Sequence, residues 1–342
     1  MMPGYKRFIK KILLFSIPFW LHVAGYVVAD PFMVIGNYDN FYLEREIPVA
    51  LDRDYVSTMT YMRNREKTDY DSFIFGNSRS MYYEVSDWRA LIGEQHACYH
   101  FDASAESLYG VLKKVEYLDA NNDTIKNALF VIDDTLLEQA EPKKDSHLYY
   151  LSPVLESYRN VFGFHVAHWK SFLNLKFAYA VCDYYYSGII KDYMVVNHFF
   201  ENYDMEYDVV SNEVKETAFE NEILAGTYYT AERMKLFEGV QHPTMRESVI
   251  KEEQKELLKA LKLILDKHRS QYKIIISPLY NQIKLNKKDV TYLCNLFGSN
   301  RVFDYSGVNS ITEDYGNYYE AAHYRPIVAK RILQEIYEKR RP

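Results

Sequence analysis

Cysteine is nearly missing from the 342-residue chain: there are three, Cys98, Cys182 and Cys294, widely spaced and odd in number. Neither a paired-thiolate zinc site nor a disulfide framework can be assembled from them, and one optional bridge is the most they allow. Glycine (13) and proline (10) are scarce and no internal period is found, which excludes low-complexity linkers and repeats. A basic excess is missing too. Lys and Arg number 41 against 47 Asp and Glu, a formal net charge of -6, so the footprint of a nucleic-acid-binding protein is absent and no nucleic-acid partner is expected. What is plentiful is apolar and aromatic content, 48% and 16%, with 33 tyrosines. That is ample for a buried core, in one large domain or two small ones, and it excludes a disordered chain. The tyrosines point to aromatic-rich surfaces or insertions.

The amino terminus carries the first strong signal. Lys6, Arg7, Lys10 and Lys11 precede an apolar run from Ile12 to Ala29. At a rise of about 1.5 Å per residue this run covers about 27 Å, close to the hydrocarbon thickness, and the cations favour a cytoplasmic amino terminus. Residues 1–11 are therefore read as a basic cytoplasmic tail and 12–29 as a transmembrane anchor, with the rest of the chain extracytoplasmic (periplasmic or extracellular). His22 is tolerable in the run as a neutral imidazole. Two alternatives stand beside the anchor. Val27-Val28-Ala29 before Asp30 suits a cleaved signal peptide, although the run exceeds the usual signal core of about 7–15 residues. A buried core helix fits less well, because the basic block lies on one side only.

Residues 30–70 show no clear periodicity and are read as a juxtamembrane lead-in to a domain at 71–342. There, short apolar runs alternate with amphipathic stretches. Ser72–Phe75, Ala97–Phe101, Ala128–Ile132, Lys273–Ser277 and Val302–Tyr305 read as buried parallel strands. The clearest helix is expected from Thr244 to His268, with Thr244 and Glu247 as a capping box and Leu257, Leu261, Ile264, Leu265 and His268 on one face. Alternating strand and helix implies an α/β layered fold with right-handed crossovers. The stretch from about 141 to 241, rich in Tyr, Phe and His, breaks the alternation and reads as a helical insertion over one sheet edge, where ligands of such folds bind.

Two segments carry chemistry. In Phe73-Ile74-Phe75-Gly76-Asn77-Ser78-Arg79-Ser80 a buried strand runs into a tight polar turn that exposes Ser78 at its carboxyl end. A serine there can attack an acyl carbonyl while its own N–H faces the developing oxyanion. Ser80 stands where a lipase-type nucleophile elbow has its second glycine, so the motif differs from that elbow. In Asn317-Tyr318-Tyr319-Glu320-Ala321-Ala322-His323-Tyr324-Arg325-Pro326, Glu320 lies three residues before His323, ahead of a helix that Pro326 opens. The acid can accept the imidazole Nδ1–H and direct Nε2 toward a serine, and the two alanines leave that approach unobstructed. Taken singly, each segment is more often a plain turn or a capping pair. Together, in the order Ser, acid, His behind an export signal, they read as a catalytic set.

On these residues the chain resembles the SGNH (GDSL-like) hydrolase superfamily, and within it the membrane-anchored polysaccharide O-acylation proteins of the alginate-acetylation and DltD-like kind, over roughly residues 71–342. Gly76-Asn77-Ser78 is similar to the family's nucleophile tripeptide, and Glu320-Ala321-Ala322-His323 to its closing Asp-x-x-His. Phe101-Asp102-Ala103-Ser104-Ala105-Glu106-Ser107 is similar to the second block, which implies an oxyanion hole from the backbone N–H groups of Ser78 and Ala105. The family's second-block glycine has Ala105 as its nearest counterpart, and Val131-Ile132-Asp133-Asp134-Thr135 stands where the third-block asparagine belongs. The resemblance implies a three-layer, flavodoxin-like parallel sheet and a serine esterase or O-acyltransferase acting on an acylated glycan or polysaccharide, with no metal or organic cofactor. It also implies a membrane-bound O-acyltransferase as partner. The alternative is a catalytically degenerate relative that binds glycan or scaffolds an acylation complex.

Other clusters read more plainly. His165 and His168 beside Trp169 lack a neighbouring carboxylate or third histidine and suggest aromatic packing. One of His96 and His100, at even spacing on a strand, faces the core. Asp133-Asp134 suits a strand end or an N-cap. Tyr184-Tyr185-Tyr186 fills the insertion's own core or stacks on sugar rings.

Overall fold

A computed structural model describes residues 3–144, 146–201 and 205–338. Its helices of eight residues or more are α1 (Pro3–Ala29), α2 (Arg53–Asn64), α3 (Val85–Ile92), α4 (Leu108–Ala120), α5 (Val161–Phe172), α6 (Leu175–Ser187), α7 (Thr217–Leu224), α8 (Glu252–Lys267), α9 (Lys287–Phe297) and α10 (Pro326–Glu338). The strands are β1 (Ser72–Gly76), β2 (Cys98–Asp102), β3 (Asn127–Ile132), β4 (Glu206–Asp208), β5 (Glu213–Lys215), β6 (Gln271–Ile276), β7 (Val302–Asp304), β8 (Tyr318–Glu320) and β9 (His323–Tyr324). The chain divides into two compact units, Met1–Leu51 with Val161–Asn202, and Asp52–Asn160 with Tyr203–Pro342.

The larger unit is an α/β structure. Its five expected strands form one wholly parallel sheet in the order β2-β1-β3-β6-β7. β1, β2 and β3 are buried along their whole length, as a sheet covered on both faces requires. Side chains alternate between two cores. Phe73, Phe75, Tyr99, Phe101, Phe130 and Ile274 meet residues of α2, α4, α8 and α9 on one face. Ile74, Leu129, Val131 and Ile275 meet α3, α10 and the β8–β9 hairpin on the other. The chain builds the sheet in both directions from β1 and β3, and the carboxyl ends of two strands at such a switch point are the usual ligand position of these sheets.

Three sequence expectations shift. Within the stretch read as lead-in, α2 belongs to the α/β unit, its buried face made of Arg53, Asp54, Ser57, Thr58 and Thr60 as well as Val56 and Tyr61. No apolar period exists for a helix whose inward face is polar. The helix expected from Thr244 begins only at Glu252, where Gln254 reaches back to the Lys251 N–H at 3.1 Å. Before it the chain is not helical, and the Asp289 carboxylate takes up Ser248 Oγ and the Val249 N–H at 2.5 and 2.8 Å. The buried face of α8 carries Gln254, Leu258, Leu261 and Leu265, with Leu257 and Ile264 at its margins. Finally, the insertion is divided: α5 and α6 belong to the smaller unit, whereas the β4–β5 ribbon and α7 belong to the larger. Between β4 and β5, the Ser211 carbonyl accepts the His100 N–H at 2.9 Å and Asn212 Nδ2 donates to the His100 carbonyl at 2.7 Å, so the ribbon covers the free edge of β2.

In the smaller unit, α1 has an apolar stretch Arg7–Ala29 with mean hydropathy 1.9, long and apolar enough to cross a membrane. An isolated bridge joins Val49 to Phe200, and Arg45 pairs with Glu201 at 2.6 Å. His168 is buried against Phe164, whose carbonyl its Nδ1 meets at 2.9 Å, so it serves packing. The three cysteines are free.

Candidate active site

The turn that carries Ser78 is built by close packing and then by Asn77. A Cβ on Gly76 would lie 2.5 Å from the Val131 carbonyl oxygen and 2.8 Å from Ser80 Cβ, so only glycine lets β1 end this close to the β3 backbone. Asn77, buried, accepts the Arg79 N–H on its side chain at 3.1 Å and the Ser80 N–H on its carbonyl at 2.8 Å. These bonds wind Ser78–Tyr82 into a short 3₁₀ helix with Ser78 at its first position. The Ser78 N–H therefore has no acceptor within the helix. Ser80 Oγ donates to the Asn77 carbonyl at 2.8 Å, which leaves it to accept from His100 Nε2 at 3.1 Å. Burial lowers the His100 pKa to about 4, so this imidazole is neutral and acts as a fixed prop beneath the turn. The residue that replaces the elbow's second glycine thus has a structural use.

Glu320 and His323 come from the β8–β9 hairpin, which pairs them directly across the Ala321-Ala322 turn. Ser78 Oγ and His323 Nε2 are 2.8 Å apart although 245 residues separate them in the chain. On the far side of the ring, His323 Nδ1 bonds Glu320 Oε1, while Glu320 Oε2 accepts the Ala322 N–H at 2.8 Å. Partial burial pushes the Glu320 carboxyl up, but the hydrogen bond and charge of His323, the Ala322 N–H and Arg79 outweigh it, so its pKa lies below the ordinary glutamate value. Ser78, Glu320 and His323 are all half-exposed, so solutes reach the line of groups from solvent. An alcohol, an imidazole and an ionised carboxylate in this order can pass the hydroxyl proton to the ring while the acid steadies the resulting cation.

Sequence reading missed the residues that hold these parts together. Arg79, next to the serine, donates from Nε to the Ala322 carbonyl at 3.0 Å and pairs through Nη1 with Asp133 Oδ2 at 2.5 Å. Asp133 also takes Asn77 Nδ2 at 2.6 Å and caps the short helix Asp134–Glu138. Burial would raise the Asp133 pKa; Arg79, Thr135 and Asn77 lower it below the ordinary aspartate value. One guanidinium therefore ties the Ser78 turn, the end of β3 and the Glu320–His323 hairpin. Only the parallel register reveals the pair: Gly76 pairs with Val131, so residues two further on, Ser78 and Asp133, end level. The hairpin is buttressed from α7 and the segment after it. Arg325 grips Glu220 at 2.9 and 2.7 Å, and Tyr228 and Tyr229 donate to the Tyr319 and Tyr318 carbonyls at 3.1 and 2.8 Å. A second carboxyl, Glu216, lies near the imidazole; burial raises its pKa, the His323 charge opposes this and Glu320 adds to it.

Ala105 is not joined to this line by any hydrogen bond among the described residues. It adopts the left-handed conformation, φ +49°, in the turn after β2, and lines a small cavity with Asp54, Ser104, Glu106, Lys143 and Tyr149. Among the described residues no three His, Cys, Asp or Glu side chains converge to hold a metal ion. No protein-family model, curated protein or solved structure matches the chain.

Proposed function

We propose that the protein is a serine esterase or O-acyltransferase of the SGNH-like kind, anchored by α1 with its α/β unit outside the cytoplasm, acting on acyl groups of a cell-envelope or secreted polysaccharide. The observation that carries this reading is the 2.8 Å contact between Ser78 Oγ and His323 Nε2, with Glu320 behind the ring. In the first half-reaction Ser78 Oγ bonds to the acyl carbonyl carbon, its proton passing to Nε2. Collapse of the tetrahedral intermediate breaks the bond to the leaving oxygen, which takes that proton, and leaves an acyl-serine. Water or a sugar hydroxyl then attacks the acyl carbon, giving its proton to the same nitrogen; the bond from that carbon to Ser78 Oγ breaks, and Oγ takes the proton back. The Ser78 N–H at the open start of its 3₁₀ helix supplies one oxyanion donor. Ala105 is the second donor that the family resemblance implies. A membrane-bound O-acyltransferase is the matching source of acyl groups.

A fluorophosphonate probe tests the reading. Folded wild-type protein is expected to be labelled on Ser78, with labelling lost in Ser78→Ala and in His323→Ala. Absence of labelling in protein shown to be folded by thermal denaturation overturns catalysis and leaves the glycan-binding or scaffold role.

A further inference from the structure

We infer that α5 and α6 lie within the bilayer leaflet at the carboxyl end of α1, as a lipid-bound helical hairpin. The inference rests on α1 crossing a membrane and is independent of the proposed chemistry. Its first support is where α5 touches α1. The Trp169 ring sits 5.5 Å from Phe19 and donates from Nε1 to His22 Nδ1 at 3.3 Å, and Phe172 lies 4.9 Å from His22 and 5.6 Å from Tyr26. Lys10 and Lys11 fix where the hydrocarbon of a spanning α1 begins, at Ile12. A layer of about 30 Å needs about 20 residues, so it reaches at least to Ala29. Were the layer to stop short of α5, only Ile12–Phe19, about 12 Å of helix, would remain to cross it. The α5 side chains that touch Phe19 and His22 therefore lie at the depth of lipid chains.

The rest of the hairpin suits that place. Its most exposed side chains include large apolar and aromatic ones: Phe162, Leu175, Tyr185 and Tyr186 are 80, 84, 87 and 95% exposed. Between α1 and α5 runs a groove of about 470 Å³ walled by Trp20, Val23, Val27, Phe162 and Val166. From Val161 to Cys182 there is no acidic residue, and the two cations, Lys170 and Lys176, have stems long enough to carry the charge to the headgroups. Polar backbone in lipid must be satisfied internally, and the turn bonds three of its N–H groups in this way. The Leu173 and Asn174 N–H groups bond the Trp169 and Ser171 carbonyls at 3.0 and 3.1 Å, and Asn174 caps α6 by accepting the Lys176 N–H at 2.9 Å. Tyr184, Tyr185 and Tyr186 at the end of α6 match an interfacial aromatic belt. Lipid is the occupant favoured because the exposed face continues the surface that a spanning α1 turns to lipid.

The test uses the full-length chain in phosphatidylcholine–phosphatidylglycerol vesicles. Cys182 and Cys294 are replaced by Ser, buried Cys98 is left in place, and a nitrobenzoxadiazole probe is attached at Phe162→Cys, Leu175→Cys, Leu14→Cys within α1, or Leu263→Cys on exposed α8. Acyl-chain nitroxide lipids are expected to quench the Phe162 and Leu175 probes about twofold or more, like the Leu14 probe, and to spare the Leu263 probe. Quenching at Leu14 with iodide-accessible Phe162 and Leu175 probes overturns the hairpin assignment while leaving the anchor intact, and would restore glycan stacking for the tyrosines. No quenching at Leu14 means that the anchor reading itself fails. Positions wet in pure vesicles but shielded in native membranes mean that a protein covers the face, which also overturns lipid. Should cysteine variants misfold, brominated-lipid quenching of the native tryptophans, reduced by Trp169→Phe, gives the same decision.

Discussion

β1 and β2 are neighbours in register, with Gly76 opposite Asp102, yet the turns that follow them handle charge in opposite ways. After β1 the polar groups are half-exposed and hydrogen-bonded in line, so a proton can move along them. After β2 the charges are buried and paired with one another. Arg53 Nη2 holds Asp102 Oδ1 at 2.7 Å, Asn212 Nδ2 reaches the same oxygen at 3.0 Å, and Lys114 Nζ lies between Asp54, at 3.0 Å, and Glu106. Burial works against the Lys114 charge, but Asp54 and Glu106 outweigh it and raise its pKa above the ordinary lysine value. Chemistry needs groups that can change charge state; a buried network is stable only while its charges stay as they are. Ser78 or His323 can therefore be lost at small cost to folding and large cost to reactivity, and a member of the buried pairs after β2 the reverse.

Removing the base should give the largest effect. His323→Ala is expected to lower turnover of an activated ester by about 10⁴-fold or more, while urea denaturation changes by no more than about 0.5 kcal/mol. Next comes the opposite case. Arg53→Met leaves Asp102 buried and unpaired and should cost about 3–5 kcal/mol in the same denaturation measurement, with turnover per folded molecule within about twofold of wild type. A variant that stayed stable but inactive would erase the division between the two turns. A third effect depends on pH. His100 has a pKa of about 4 when folded, against about 6.5 in the unfolded chain, so between these values the unfolded state binds more protons. Its contribution is complete above about pH 6.5 and is lost as the pH falls toward 4, by about 3 kcal/mol. His100→Asn should flatten that slope, measured as the difference from wild type because His147, whose pKa burial also lowers to about 4, titrates in both. The smallest effect belongs to Arg79, which positions groups without reacting. Arg79→Gln should reduce kcat by about 10–100-fold with KM unchanged, and Arg79→Lys should restore part of it, since one ammonium can still reach Asp133. A fall confined to stability would make Arg79 merely structural.

The parts of the molecule legible in the sequence are those where one side-chain pattern serves one surface. Strands buried on both faces are short apolar runs, so β1, β2, β3, β6 and β7 stood out, as did Pro326 at the start of α10. The distant Ser78 and His323 were legible as a pair because strand-end serine and acid-x-x-His motifs are local, and the layered fold brings the two ends of the domain together. What stayed hidden depends on polar groups paired across the fold. α2 hides Arg53 and Asp54 where apolar residues would be expected, so its helix left no period. Thr244–Lys251 looks like a helix start until Asp289, forty residues on, takes its hydrogen bonds. Arg79 reads as a turn cation until the register of β1 and β3 sets Asp133 beside it. Ala105 was matched to a glycine block by position in the chain; its left-handed φ suits a glycine, but nothing local told which way its turn would face.

The hairpin that carries Glu320 and His323 leads directly into α10, whose Val328, Ala329, Ile332, Leu333 and Ile336 complete the second core. A chain interrupted anywhere before residue 318 holds its alcohol with nothing to take the proton, and lacks one wall of its sheet as well. The partner for the Ser78 hydroxyl and the outer wall of the second core are thus put in place by one continuous stretch, residues 318–336, so a variant that fails to fold this stretch loses both together.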